Sequence, residues 1–534
     1  MKKTIEVILI GLIIALMSGC GHKSSKSSTP AYSISGTVTL SSGLGLTNVT
    51  MTLSGTASKT TTTTVSGNYS FSSLVNGGYT ITPTFPGYTF SPAFSSTTVS
   101  NSNVTGVDFI VKQGGKLDTS FGTNGVVFTY TSLGGYYAYG ESITTDTQGR
   151  ILVTGGSNNN LGHSYMTIWR YNSYGTPDTS FGTNGMVFTN TAAGGSQAYG
   201  NSIIMDAQGR ILISGVAENS SGNPYMTIWR YNSNGTPDTV FGTNGVVFTN
   251  TSAGGITAAG YSIITDAQGK ILVTGEAYDS SGNPYMTIWR YNSNGTPDTT
   301  FGTNGVVVTN TAAGGNGAWG NSVITDAKGR ILISGVAENS SRGYYMTIWR
   351  YNSNGTSDTT FGTNGVVVTN TAAGGNFALG GRSLIDASGK ILVTGVAGSI
   401  SGNWYTTIWR YDSNGTPDTS FGTNGVVISA NPIGGIYAMG NSITTDAQNR
   451  ILVTGIAEDS SFNDYMTIWR YNSDGTPDTI FGTNGIVFTN TTAGGNHYAV
   501  GNSIIIDAQG RILVTGAAAD SSGNTNMTIW RYLP

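Results

Sequence analysis

Residues 201–250 have the sequence NSIIMDAQGRILISGVAENSSGNPYMTIWRYNSNGTPDTVFGTNGVVFTN. This stretch holds four short runs of β-branched and aromatic residues, NSIIMD, RILISG, YMTIWRYN and GVVFTN. Each run has the length and composition of a β-strand. The turns between them are rich in Gly and Asn, which tolerate the positive φ that tight turns require. The stretch therefore predicts a small sheet of four strands that alternate in direction.

The same four runs occur seven times along the chain. The phrase D-T-x-F-G-T-N-G starts every sixty residues, and T-I-W-R-Y has the same spacing except for a last step of sixty-one. Four short strands per repeat is the content of one propeller blade. The chain is therefore predicted to be all-β, with a seven-bladed β-propeller over residues 115–534. The repeated tryptophans are Trp169, Trp229, Trp289, Trp349, Trp409, Trp469 and Trp530.

The phase of the repeats predicts how the ring closes. If the S-I-I-T-D run is the inner strand, the final copy contains only three strands, over residues 503–532. Its missing outer strand is then the first one of the array, residues 125–129. Such pairing removes a free sheet edge and ties both ends of the ring together. A different assignment of the runs to blade positions is the alternative.

Composition excludes several classes of protein. Only 10% of the 534 residues are charged, the net charge is −3, and no cluster of Lys and Arg offers a nucleic-acid footprint. With 38% hydrophobic residues in regular patterns the chain can bury a core. A single cysteine, Cys20, leaves no intramolecular disulfide.

The first twenty residues have the features of a lipoprotein signal peptide. Two lysines precede residues 5–17, which are apolar apart from Glu6 and too few to span a bilayer. The following Ser-Gly-Cys resembles a bacterial lipobox, which implies that Cys20 is acylated and attaches the protein to a lipid bilayer. Gly21 after the cysteine favours the outer membrane or cell surface. Residues 21–31 are predicted to be a flexible tether, and ordinary signal-peptidase cleavage, with Cys20 incidental, is the alternative.

Residues 32–112 are predicted to form a separate β-rich domain, because period-two apolar patterns alternate there with Gly, Asn and Pro. The region resembles the carboxypeptidase regulatory-like family, which implies a small transthyretin-like β-sandwich that serves as a non-catalytic spacer or adhesion unit. The matching residues are Gly36, Val38, Gly67, Tyr69, Phe71, Leu74, Gly78, Tyr79, Ile81, Gly87 and Tyr88.

The repeats also resemble a known family. D-A-Q-G-R-I-L-V-T-G and D-T-x-F-G-x-x-G-x-V are similar to the two hallmarks of bacterial delta-60 repeats. The resemblance implies a propeller at the cell surface, and the family has no common activity that it would imply for this protein.

Two short stretches vary between the copies while the rest hardly changes. One is interpreted as a loop before the inner strand, and the other follows I-L-V-T-G. Because the strands alternate in direction, both stretches lie on the same face of the disc, around the mouth of the central channel. Aromatic rings there suit a carbohydrate or a protein ligand, whereas drift in unconstrained loops is the alternative. The candidate ligand-binding residues are Tyr136, Tyr137, Tyr139, Tyr199, Trp319, Phe377, Tyr437, His497 and Tyr498.

The invariant positions are interpreted as scaffold. Trp and Tyr of T-I-W-R-Y share one strand face and are predicted to pack between blades. The Asp of D-A-Q-G is predicted to cap a turn, and N-S-N-G-T-P-D to form Asx turns, with calcium in these loops as the alternative. No metal and no cofactor is expected.

Catalysis finds little support in the residues. There is no H-E-x-x-H, no G-x-S-x-G and no nucleophilic cysteine constellation. Near-identity of the blades also argues against an enzyme, since only the fifth copy departs, at Gly381 and Arg382. Acids that could form a catalytic pair are Glu141, Glu218, Glu276, Asp279, Glu338, Glu458 and Asp459.

Three functions follow from these observations. The first is a monomeric, surface-anchored, non-enzymatic lipoprotein whose propeller binds a glycan or an envelope protein. The second is a cell-envelope enzyme of the glycoside hydrolase or polysaccharide lyase type. The third is a purely structural envelope protein.

Overall fold

A computed structural model of the chain describes residues 31–40, 43–85, 88–112, 114–129, 134–190, 193–249, 253–310, 312–369, 374–375, 377–489 and 494–534. Within these ranges all regular secondary structure is β-strand, and no apolar helix long enough to cross a bilayer occurs. The chain divides into two compact units, one comprising Met1–Thr84 with Phe90–Ile110 and the other Phe85–Thr89 with Val111–Pro534. Cys20 lies outside the described residues.

The N-terminal region is a small β-sandwich of two four-stranded sheets. Its strands are β1 (Tyr32–Thr39), β2 (Thr50–Gly55), β3 (Lys59–Thr62), β4 (Asn68–Leu74), β5 (Gly77–Thr84), β6 (Thr89–Ser91), β7 (Ser95–Val99) and β8 (Phe109–Lys112). They are ordered β4-β1-β8-β6 and β3-β2-β5-β7. Tyr69 and Phe71 point inward from β4 with ring centroids 5.9 Å apart, and the Tyr69 hydroxyl donates to the Val107 carbonyl at 2.6 Å. The predicted sandwich is confirmed.

The described strands of the second unit form seven four-stranded antiparallel sheets, each ordered from the axis to the rim. The first four blades are β10 (Gly134–Thr145), β11 (Ile151–Asn159), β12 (Ser164–Tyr171), β13 (Met186–Thr189); β14 (Gly194–Met205), β15 (Ile211–Asn219), β16 (Pro224–Tyr231), β17 (Val246–Thr249); β18 (Ala258–Thr265), β19 (Ile271–Tyr278), β20 (Pro284–Tyr291), β21 (Val306–Thr309); and β22 (Gly314–Thr325), β23 (Ile331–Asn339), β24 (Tyr344–Tyr351), β25 (Val366–Thr369). The last three are β26 (Phe377–Ile385), β27 (Ile391–Gly398), β28 (Trp404–Tyr411), β29 (Val426–Ser429); β30 (Gly434–Thr445), β31 (Ile451–Asp459), β32 (Asp464–Tyr471), β33 (Ile486–Thr489); and β34 (Gly494–Ile506), β35 (Ile512–Asp520), β36 (Thr525–Tyr532), β9 (Val126–Thr129). The predicted seven-bladed propeller is confirmed.

The seventh blade contains strands from both ends of the array. β9 pairs antiparallel with β36, with Val126 opposite Trp530 and Thr129 opposite Met527. The inner strands of the seventh and first blades are also joined, because the Asn502 Nδ2 donates to the Gly140 carbonyl at 3.0 Å. The described strands therefore form a closed ring.

The repeated tryptophans pack at the seams between blades, as predicted. Trp229 of the second blade is 1% exposed and lies in one apolar cluster with Met166, Ile168 and Phe181 of the first blade. Equivalent clusters occur at the other seams. Removing a buried Trp of this kind costs about 3–5 kcal/mol, so the seams are a major source of the stability of the ring.

One end of the propeller carries the D-A-Q-G hairpins and the N-S-N-G-T-P-D loops, and we name it the turn end. Asp146 accepts the backbone N–H groups of Gln148 and Arg150 at 2.9 Å, so it caps the turn as predicted. Arg170 Nε lies 2.9 Å from Asp178, its guanidinium lies 4.3 Å from the centre of the Phe181 ring, and its Nη1 donates to the Ser233 carbonyl of the next blade. The repeated Asp therefore holds the Arg within its own blade, and the Arg joins that blade to the next one.

Candidate ligand site at the channel mouth

The opposite end, which we name the mouth end, is built by the first halves of the inner strands. The variable segment before S-I-I-T-D is strand and not loop, which corrects the sequence interpretation. In β10, for example, Ala138, Tyr139 and Gly140 pair with Ser157, Gly156 and Gly155 of β11. The backbone hydrogen bonds between the first and second strands continue through this segment, because the second strand of the blade extends equally far. Successive side chains of the segment therefore point to opposite faces of the sheet.

That alternation directs one set of side chains toward the axis. Tyr137, Tyr139 and Glu141 of β10 line a cavity of about 560 Å³, to which the inner strands of all seven blades contribute. Ala138 and Gly140, on the other face, are buried. The other aromatic residues lining the cavity are Tyr261, Tyr437 and Tyr498.

A β-bulge in every inner strand places one residue per blade at the wall of this cavity. In β10 the register shifts between Gly140 and Ser142, so Glu141 is the extra residue. A side chain at Gly140 would meet the Thr515 hydroxyl at 2.2 Å, which requires glycine beside the bulge. The bulge residues of the seven blades are Glu141, Asn201, Tyr261, Asn321, Gly381 (followed by the second bulge residue, Arg382), Asn441 and Asn502.

The four asparagines of this set have a shared structural contact. Each amide donates from Nδ2 to the carbonyl of a glycine in the following blade, at 2.9 Å for Asn201, 2.7 Å for Asn321, 3.0 Å for Asn441 and 3.0 Å for Asn502. The amides also line the cavity, which gives its wall a ring of neutral hydrogen-bonding groups.

Two charged side chains interrupt this neutral ring. Glu141 of the first blade accepts a hydrogen bond from Asn502 Nδ2 at 3.3 Å, and Arg382 of the fifth blade donates from Nη2 to the Asn201 carbonyl at 3.3 Å. Burial raises the pKa of Glu141 to about 7, against the opposing effect of the Arg382 charge. Burial lowers the pKa of Arg382, and Glu141 opposes that shift. The cavity therefore holds a carboxyl group that titrates near neutrality and a guanidinium that spans the lumen.

An arc of five half-buried rings extends from the cavity across three blades, and we name it the aromatic arc. It consists of Trp319, Tyr344, Phe377, Trp404 and Tyr437, with successive ring centroids 5.6, 5.8, 4.6 and 5.4 Å apart. Tyr437 belongs both to the arc and to the cavity wall.

A buried carboxylate lies behind the wall at the third blade. Tyr261 donates its hydroxyl to Glu276 Oε1 at 2.5 Å, and Glu276 is 7% exposed at a position occupied by Gly, Val, Ile or Ala in the other blades. Burial raises the pKa of Glu276, a shift that hydrogen bonds from Tyr261, Tyr278 and Trp319 oppose. The Tyr261 phenol is held by an acceptor, and burial together with Glu276 raises its pKa, so it remains protonated.

The nine candidate residues divide into groups. Tyr137, Tyr139, Tyr437 and Tyr498 line the cavity, and Trp319 and Phe377 belong with Tyr437 to the aromatic arc. Tyr199 faces Gln197, with its hydroxyl 3.4 Å from Oε1. Tyr136 is 69% exposed and points away from the lining set, and the side chain of His497 lies outside the described residues.

The candidate acids are similarly divided. Glu141 is the one acid among the described residues that line the cavity. Asp279 and Asp459 each accept a backbone N–H at 2.8 Å and hold hairpin turns. Glu218, Glu338 and Glu458 lie near the ends of second strands. Within the described part of the chain, no group of three or more His, Cys, Asp and Glu is arranged to hold a metal ion.

Sequence reasoning did not select several residues that the structure adds to the site, among them Tyr261 and the asparagines of the cavity wall. Tyr344 and Trp404 also were not selected, although they lie in the second of the two variable stretches, where they are the first residues of β24 and β28. Arg382 was visible as a departure of the fifth copy, but its placement inside the channel depends on the fold.

Comparisons with known proteins agree with this architecture. The model of a domain of unknown function (DUF5122) beta-propeller matches residues 149–181, 208–241, 268–301, 329–361 and 387–421, and that of the carboxypeptidase regulatory-like domain matches residues 33–112. No curated protein matches the chain.

Several solved structures are similar at low identity. A protein of unknown function from Dyadobacter fermentans has 13% identity and a TM-score of 0.39, covering 76% of this chain and 97% of its own. An ulvan lyase, described as a new family of polysaccharide lyase, has 12% identity and a TM-score of 0.42, covering 74% and 94%. A virginiamycin B lyase from Staphylococcus aureus has 12% identity and a TM-score of 0.35, covering 76% and 98%. These similarities assign no activity.

The two family matches confirm the resemblances of the repeats and of the N-terminal region. The chain carries a carboxypeptidase regulatory-like domain followed by a β-propeller of the DUF5122 type.

Proposed function

We propose that the propeller is a non-enzymatic carbohydrate-binding module whose ligand occupies the cavity at the mouth end. The observation that carries the proposal is the combination, in one cavity of about 560 Å³, of tyrosine rings with a ring of carboxamides. Ligand pockets fall in the range of roughly 300–1,000 Å³ and combine apolar walls with a few polar groups.

The chemistry of the lining suits a sugar. Half-buried aromatic rings present flat apolar faces to the C–H faces of a pyranose. Asn201, Asn321 and Asn441 provide amides that both donate and accept, as sugar hydroxyls do. The aromatic arc continues from Tyr437 along the neighbouring fifth and fourth blades, so a glycan longer than one residue has further rings to contact.

The test is binding of the full-length protein, purified in detergent, to a glycan array and then to its best ligand in solution. Tyr437→Ala is expected to weaken binding about tenfold. Tyr174→Ala is the matched control, because Tyr174 is an exposed tyrosine at the turn end, 67% accessible. Absence of any glycan ligand, or equal affinities of the two variants, would contradict the proposal.

An enzyme acting on a polysaccharide is the second candidate, and one observation favours it. Glu141 lies in the cavity with a pKa of about 7, which suits a general acid or base. The first, third and fifth blades depart from the others at the cavity, so near-identity of the blades is a weaker argument against catalysis than the sequence suggested. Release of oligosaccharides from a polysaccharide panel, lost in Glu141→Gln, would favour the enzyme.

For the location of the protein, we propose acylation of Cys20 and attachment to the outer membrane or cell surface. The support is the sequence of residues 1–20. Incorporation of a labelled fatty acid and recovery in the membrane fraction test it, with Cys20→Ser as the control. Label in Cys20→Ser equal to that of the wild type would contradict it.

A further inference from the structure

The fifth blade breaks the repeat at one inner-strand position. Six blades have Ser where the fifth has Arg382. The serine is scaffold: the Ser142 hydroxyl accepts the backbone N–H of Ile203 in the next blade at 3.3 Å, and Ser442 accepts that of Ile504 at 3.3 Å. An arginine cannot accept this bond, so the fifth blade gives up a contact between blades.

The side chain that replaces the serine extends across the lumen. Arg382 Nη2 donates to the backbone carbonyl of Asn201, which belongs to the second blade. Gly381 beside it leaves room for the guanidinium, because the bulge residue of the fifth blade has no side chain. The bulge residue is Asn or Glu in five of the other blades and Tyr in the third. Within the described residues, the guanidinium forms this one hydrogen bond and no ion pair. Most of its five N–H donors therefore remain for a ligand.

The guanidinium differs in this respect from the arginines of the turn end. Arg170, Arg230 and Arg350 each lie 2.8 to 2.9 Å from an aspartate, which satisfies their charge within the fold. Arg382 has Glu141 as an electrostatic neighbour in the same cavity, beyond ion-pair distance. A desolvated guanidinium with free, coplanar donors is the arrangement that recognises oxyanions in a bidentate manner.

We infer that the glycan bound in the cavity is acidic and that Arg382 binds its anionic group, a carboxylate or a sulfate ester. The inference rests on the proposed carbohydrate-binding function and specifies its ligand class. The anionic group pairs with Arg382 at the axis, while the sugar rings contact the tyrosines and amides of the wall.

The experiment measures the affinity of the full-length protein in detergent for two matched pairs of oligosaccharides. Oligogalacturonate and its methyl ester share the sugar backbone and differ in that esterification removes the carboxylate charge and adds a methyl group, and a galactan with and without sulfate esters tests the other source. The acidic member of one pair is expected to bind about 10- to 100-fold more tightly than its neutral partner. In Arg382→Gln this preference is expected to vanish.

A second variant keeps the inference testable if Arg382→Gln does not fold. Arg382→Lys retains the charge and loses the planar fork, so it is expected to keep part of the preference. Equal affinity of the wild type for both members of each pair, or a preference that Arg382→Gln retains, would overturn the inference and leave carbohydrate binding intact. Failure of every glycan to bind would overturn the proposed function and the inference together.

Discussion

The repeated arginines of the turn end and the two charged side chains of the mouth-end cavity differ in whether they form ion pairs. At the turn end the seven blades repeat one arrangement, in which the arginine of T-I-W-R-Y lies 2.8 to 2.9 Å from the aspartate of D-T-x-F-G. At the mouth end Glu141 and Arg382 occur once each, in different blades, and are not paired within ion-pair distance. The recurring charges of the turn end are therefore paired within the ring, whereas Glu141 and Arg382 are not paired with each other.

The largest expected effect lies at the turn end. Arg350→Ala removes the nearer of two basic partners of Asp358, at a site where the Arg350 and Asp358 side chains are 2% and 7% exposed. Arg330 remains 3.4 Å from the carboxylate, so the loss is expected to lie at or somewhat below the about 3–5 kcal/mol that breaking a buried pair costs, and the contact of the guanidinium with Phe361 is lost as well. The measurement is the free energy of unfolding by denaturant.

Arg342→Ala is the matched control in the same blade. Arg342 is an exposed hairpin residue at the mouth end, so its loss is expected to change the free energy of unfolding by less than about 0.5 kcal/mol. Similar losses for the two variants would contradict the assignment of the turn end as scaffold.

The second prediction concerns the aromatic arc. Trp404 contacts Phe377 and Tyr437 at centroid distances of 4.6 and 5.4 Å, so Trp404→Ala removes the ring that joins Tyr437 to the rest of the arc. We expect Trp404→Ala to weaken the free energy of glycan binding by about 1–2 kcal/mol. Trp404→Phe keeps a ring, so we expect little change in that free energy. Calorimetric titration with oligosaccharides of increasing length measures it, and a loss that does not grow with length would contradict an extended site.

The third prediction uses the pH dependence of glycan affinity to distinguish the effect of Glu141 from that of Arg382. The groups that face Glu141 are Arg382, the Asn502 amide and the phenols of Tyr137, Tyr139 and Tyr498, whose pKa values are raised. Below pH 7 Glu141 is neutral, and the Arg382 charge acts on an acidic ligand without compensation. As the pH rises through about 7 the carboxylate ionises, and affinity for an acidic glycan is expected to fall by up to about tenfold.

Glu141→Gln is expected to make that affinity independent of pH between 5 and 9. The same raised pKa predicts that the stability of the wild type falls between the ordinary pKa of a glutamate and 7, because the folded state there holds a proton that the unfolded state has lost. The variant lacks this loss. A wild-type titration that Glu141→Gln reproduces would show that another group controls binding.

Much of the scaffold could be predicted from the sequence because its determinants are local and repeated. The spacing of D-T-x-F-G-T-N-G predicted seven blades. The strand face that Trp229 shares with the following Tyr predicted that Trp229 packs between two blades. Asp146 followed from its place in D-x-x-G, since an aspartate caps a turn through backbone groups two and four residues away.

The site could be predicted only in part because its contacts are not local. Arg382 and Asn201 are 181 residues apart, and their contact depends on the curvature of the whole ring. The sequence interpretation places the variable segment before the inner strand in a loop. Gly140 is instead a strand residue beside a bulge, and glycine is needed there because Thr515 of the neighbouring blade leaves no room for a side chain.

The smallest expected effect tests the alternation along β10. Tyr136 and Tyr137 are adjacent, and both are exposed, at 69% and 44%, yet only Tyr137 lines the cavity. If the strand assignment is right, Tyr136→Ala leaves glycan affinity within about twofold of the wild type, while Tyr137→Ala weakens it several-fold. A flexible loop would give both tyrosines similar access to the ligand, so equal losses in the two variants would restore the loop interpretation. The two variants therefore distinguish a β-strand, in which alternate side chains line the cavity, from a loop in which both tyrosines reach the ligand.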